Sequence, residues 1–75
     1  MSNESGITFV ERARRNIPGV TKEKAATRLG ITPGTYRKFE RHPEKISYEM
    51  ALSMFEASDT FDSEIIKSGF SNFFI

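Results

Sequence analysis

The twenty residues from Thr21 to Glu40, TKEKAATRLGITPGTYRKFE, restrict this chain more than any other stretch. Ala25, Ala26 and Leu29 recur at the spacing that gives a helix one apolar face, and the run stops at Gly30. Ile31 follows as an apolar plug. Thr32 then supplies an N-cap oxygen, and Pro33 takes the first helical position, where its missing N–H costs nothing. The pattern predicts two short helices, about 22–29 and 33–41, joined by a turn that needs a residue without a Cβ. A tight connection of this kind is a helix-turn-helix.

Thr21, Glu23, Ala26, Leu29, Gly30, Ile31, Thr32, Thr35 and Glu40 also follow the pattern T-x-E-x-x-A-x-x-L-G-[VI]-[ST]-x-x-[ST]-x-x-x-x-E. In this the chain resembles the phage repressor/Cro family of helix-turn-helix DNA-binding domains. With a helix on either side, the resemblance extends over most of residues 7–58. It implies an all-α, lambda repressor-like bundle of four to five short helices. It also implies a sequence-specific regulator that acts by occupying a near-palindromic operator, working as a homodimer at least on DNA.

The wheel of the second helix gives this expectation physical content. Tyr36, Phe39, Glu40 and Thr32 fall on one side, while Arg37, Arg41, Lys38 and Gly34 fall on the other. Three cations around one glycine suggest a helix whose backbone comes close to a polyanion, since glycine inside a helix costs about 0.5–1 kcal/mol relative to alanine. Pro33 and Gly34 stand where the resembled family often places base-reading side chains. Neither has a side-chain donor, so base reading falls to Thr35, Arg37 and Lys38. Backbone contacts fall to Lys22, Gly34, Arg41 and Lys45, with Lys22 adding a full charge to the N-terminus of its helix. The resemblance further implies a structural ion pair between Arg15, near the end of the first helix, and Glu40.

Charge is unevenly placed. Residues 1–45 hold ten Lys and Arg against five Glu, whereas residues 46–75 hold Lys67 alone against five acidic residues. A net charge of +1 therefore hides a basic half that coincides with the helix-turn-helix. That is the distribution expected if this half faces a polyanion, and also the one that chance segregation of wet surfaces would leave.

The rest of the chain is simpler. Residues 1–6 read as a disordered leader. Phe9, Val10, Ala13 and Ile17 predict a first helix over about 7–16, ended by Pro18-Gly19. His42-Pro43-Glu44-Lys45 reads as a loop, and His42 has no metal partner by spacing. Ser47 caps a fourth helix with Met50, Ala51, Met54 and Phe55 as its apolar stripe. A last helical segment runs from Ser63 to Lys67 and ends at Gly69. Residues 69–75 form an apolar tail in which Phe70, Phe73, Phe74 and Ile75 either fold back on the chain's own core or meet the same tail in a second subunit.

No cysteine, metal-ligand spacing, phosphate-cradling loop or nucleophile set appears, so neither an enzyme nor a cofactor is expected. No apolar run approaches the ~20 residues of a membrane span. A cytoplasmic protein without membrane contact or small-molecule substrate is expected. The other reading of the chain is a protein-interaction module, antitoxin- or antirepressor-like, that keeps the helix-turn-helix fold.

Overall fold

The computed structural model describes residues 7–73. The expectations for residues 1–6, Phe74 and Ile75 lie outside that range. The described residues form five α-helices and no strand: α1 (Phe9–Arg15), α2 (Lys22–Leu29), α3 (Pro33–Arg41), α4 (Tyr48–Glu56) and α5 (Ser63–Phe70), with a 3-10 turn at Pro43–Lys45. The all-α bundle anticipated from the pattern is the one observed.

Each helix starts on a side-chain cap. Thr8, Thr21, Thr32 and Ser47 each accept from the N–H three residues on, and Asp62 accepts from Glu64 and Ile65. Short helices need this help, because their free N–H groups are a large share of all they have. The turn between α2 and α3 closes as a Schellman motif. Gly30 is left-handed at φ +73°, the Ile31 N–H donates to the Ala26 carbonyl at 3.0 Å, and the Gly30 N–H donates to that of Thr27 at 3.1 Å. Ile31 packs against the core from this turn.

The core is built from every element. Tyr36, Phe61, Met54, Ile66 and Val10 are its largest fully buried side chains. Ala25 and Ala26 let α2 approach closely, and α2 packs on α3, α1 on α5 and α4 on α5. Phe61 is the least expected member, because it lies between helices. The turn after α4 aims it inward, 6.2 Å from the Tyr36 ring, while the Asp62 N–H donates to the Ala13 carbonyl at 3.0 Å.

Three expectations are corrected. Gly69 does not end the last helix; α5 runs through it to Phe70 without a left-handed turn, and the glycine makes room for the ring of Phe9, which occupies the place where a Cβ would stand. Phe70 is therefore no outward-facing dimer contact. It is buried in the chain's own core, edge-to-face with Phe9 at 4.9 Å, and Phe73 approaches the same ring at 6.1 Å. Phe55, expected on the buried stripe of α4, points outward, since Ala51 and Met54 already fill the space toward α5 and the core.

The tight seat of Phe9 on Gly69 gives a direct test. Gly69→Ala should destabilise the chain by about 1–3 kcal/mol through overpacking, read as a lower Tm. Combined with Phe9→Ala it should cost less than the two single changes added together.

Candidate nucleic-acid interface

The site begins with the side of α3 that faces inward. Glu40 is buried, and its carboxylate is shared between several donors. Its Oε2 accepts from Arg14 Nε at 2.8 Å and from the Tyr36 hydroxyl at 2.8 Å. The ammonium of Lys22 stands 3.7 Å from its Oε1. Arg14 donates a second hydrogen bond, 2.9 Å long, to the Val20 carbonyl just before α2. Thr8 also donates its hydroxyl to the Glu40 carbonyl, so α1 is tied to the end of α3 at both of its own ends.

The partner of Glu40 is thus Arg14, and the expected Arg15–Glu40 pair does not form. Arg14 lies four residues after Val10 and three before Ile17, on the inward side of α1. Arg15 falls one step round the helix, where its side chain is 60% exposed and pairs with Glu11 at 2.7 Å. The spacing from Val10 was the signal that distinguishes the two.

Burial opposes the charge on Arg14, but the hydrogen bond and charge of Glu40 more than offset it, and its pKa moves up. Burial, and then the hydrogen bond to Glu40, push the Tyr36 hydroxyl up from its ordinary value. The network therefore sits as a carboxylate held by a guanidinium and a neutral phenol, with no buried polar side-chain atom left unpartnered among the described residues.

With Glu40 and Tyr36 fixed inward, the other side of α3 must face solvent. There Lys22, Gly34, Arg37, Lys38, Arg41, His42 and Lys45 line one shallow open depression of about 620 Å³. All four residues expected to hold a nucleic-acid backbone are in it, together with Arg37 and Lys38. Among the described residues, no carboxylate lines it. Thr35 does not join them: it is half-buried on the flank of α3, where its hydroxyl meets that of Thr32 at 3.0 Å. His42, which the sequence offered only as a loop histidine, does belong to the depression, with Nδ1 3.5 Å from Glu44. Its position directly after Arg41, at the end of the basic side, was the available clue.

The remaining cations of the basic half are mostly engaged elsewhere. Arg28 pairs with Asp59 at 3.2 Å, and Lys24 donates to the Gly19 carbonyl at 3.3 Å. Among the described residues, Arg37, Lys38, Arg41 and Lys45 form no ion pair. No group of three or more His, Cys, Asp or Glu among the described residues is placed to hold a metal ion, and no helix there is long and apolar enough to cross a membrane.

No family model, curated protein or solved structure matches this chain. The assignment of the site rests on its residues and their geometry.

Two measurements check the network beneath the site. Arg14→Met should cost about 3–5 kcal/mol by leaving a buried carboxylate without its cation, whereas Arg15→Ala should cost less than about 0.5 kcal/mol; urea unfolding reads both. The raised pKa of Tyr36 means that the folded chain keeps this proton to higher pH than the unfolded chain does. Its contribution is whole below pH of about 10 and is lost as pH rises further. Stability should therefore fall above that pH, and Tyr36→Phe should flatten the fall.

Proposed function

We propose that this chain is a sequence-specific double-stranded DNA-binding regulator, a repressor of the phage Cro type that acts by operator occupancy. The observation that carries this reading is the depression in which Lys22, Arg37, Lys38, Arg41 and Lys45 converge around Gly34, with no carboxylate lining it among the described residues. A duplex major groove admits a helix, and arginine or lysine there donates to guanine O6 and N7. Arg37 and Lys38 are the base-reading residues, and Thr35 can add a contact only from the flank. Lys22, Arg41 and Lys45 hold phosphates, which fixes the register of α3 without reading sequence.

Gly34 has a part in this. Among the described residues, and leaving aside its chain neighbours and its own helix backbone, nothing lies within 4 Å of where its Cβ would be. Its bareness therefore serves no internal contact, and it suits a backbone that comes close to a sugar-phosphate chain. A cytoplasmic setting, where such DNA is met, goes with the reading.

The test is DNA binding by the purified chain, with the preferred site selected from random duplexes. Affinity should fall steeply with salt, with a log–log slope of roughly −0.9 per phosphate neutralised. Arg37→Ala and Lys38→Ala should each weaken the selected site by roughly tenfold or more and relax its sequence preference. Arg41→Ala and Lys45→Ala should weaken all sequences alike and shrink the salt slope by about one each. Gly34→Ala should raise the Tm while lowering affinity. Binding that ignores salt, or that survives loss of both Arg37 and Lys38, would end the reading.

A further inference from the structure

One side chain of the basic depression belongs neither to base reading nor to the lysine and arginine contacts with phosphate. His42 lines the depression beside Lys22, Arg37, Lys38, Arg41 and Lys45. Its backbone is held from both directions: the His42 N–H donates to the Lys38 carbonyl at 2.8 Å, and the His42 carbonyl accepts from the Lys45 N–H at 2.9 Å. Buried Pro43 follows at once. The imidazole, half exposed, therefore stands on a fixed mount at the end of α3.

The two ring nitrogens meet different surroundings. Nδ1 stands 3.5 Å from Oε2 of Glu44, a residue of the 3-10 turn that does not line the depression. A carboxylate only accepts, so the nitrogen facing it carries a proton. Since His42 lines the depression and Glu44 does not, the ring edge turned toward the depression is that of Nε2. In a neutral imidazole with its proton on Nδ1, Nε2 is an acceptor and has nothing to offer a phosphate oxygen. A second proton turns it into a charged donor.

We infer that His42 is a phosphate ligand of this site that engages by taking up a proton, so that the grip on nucleic acid strengthens as pH falls. The inference rests on the proposed DNA binding, to which it adds a contact residue and a condition. Lys22 faces the depression from α2, Arg37, Lys38 and Arg41 face it from α3, and Lys45 faces it from the 3-10 turn, with Glu44 beside the ring. Glu40 is turned inward and already shared by Arg14 and Tyr36. A phosphate drawn in by these cations brings the negative charge that favours a doubly protonated ring. Histidine is the side chain whose charge changes between about pH 5 and 8. A ring that holds its second proton more firmly when bound makes affinity highest at low pH, and that gain is lost as pH rises through the titration of the bound ring.

The experiment is calorimetric titration of the selected duplex into the full chain, in buffers of different ionisation enthalpy, which counts the protons taken up. The wild type should take up roughly half a proton near a pH of about 7, and should bind roughly fivefold more tightly at about pH 6 than at about pH 8.5. His42→Gln keeps a donor near the place of Nε2 that does not titrate; proton uptake should vanish and affinity should level across the range. Glu44→Ala frees the neutral ring to carry its proton on Nε2, so uptake should shrink and binding at high pH should tighten. His42 is the only histidine of the chain, so its ring resonances report alone, and their titration midpoint should rise by about one pH unit when duplex is bound. A duplex bound without proton uptake, or with uptake that survives His42→Gln, overturns the inference and leaves the DNA reading standing. Uptake that Glu44→Ala leaves unchanged also overturns it, since the ring would then answer to the field of the duplex and not to a contact at Nε2. A chain that binds no duplex at all ends both.

Discussion

The carboxylate of Glu40 holds the arrangement of α1, α2 and α3. A buried, unpaired carboxylate would be strongly destabilising, so α3 can sit at this angle only where Arg14, Tyr36 and Lys22 can reach it. Arg14 is in turn committed to the Val20 carbonyl, which precedes the cap of α2. One acidic side chain therefore links α1, the entry to α2 and the end of α3. A buried ion pair of this kind is weak evidence for added stability, because its desolvation cost is large. What it does supply is direction: with Glu40 and Tyr36 held inward, the side of α3 that carries Arg37, Lys38 and Arg41 has to face out.

The parts of this fold that were legible in the sequence are those decided locally. The α2–α3 connection follows from Leu29-Gly30-Ile31-Thr32-Pro33, where a left-handed glycine, a plug, a cap and a helix-starting proline succeed one another. The two sides of α3 follow from its period, and all but one of the residues expected at the site meet there. What was not legible depends on residues far along the chain. Gly69 looks like a helix end until Phe9, sixty residues earlier, is seen pressed against it. Phe61 looks like a loop residue until the Asp62–Ala13 hydrogen bond turns it into the core. Arg14 and Arg15 differ by one step on a helix of seven residues, too short a stripe for its centre to be obvious.

The basic half of the chain is sorted by pairing. Arg14 is spent inside, Arg15 on Glu11, Arg28 on Asp59. Those pairs neutralise charge where the surface turns away from α3. Lys22 is shared: its ammonium approaches Glu40 from the rim of the depression, so part of its field is already offset. Apart from Arg12 on α1 and Lys24 on α2, the cations without an ion pair among the described residues of this half lie on α3 and the 3-10 turn that follows it. A surplus that looks diffuse along the sequence is thereby concentrated in one concavity, where field lines from several cations overlap and an anion is attracted most strongly.

The two glycines inside helices make the closing contrast. Each gives up helix propensity, and such a loss persists where something else needs the missing side chain. For Gly69 the need is internal, because a Cβ there would collide with Phe9, and removing that ring would remove the need. For Gly34 the surrounding space is open among the described residues, which give no reason against alanine. Gly34 also stands in the first turn of α3, at the positive end of the helix, which favours an anion. A bare backbone at that spot, ringed among the described residues by cations and no carboxylate, suits a phosphate-bearing ligand brought close to this side of α3, and no packing demand among those residues accounts for it.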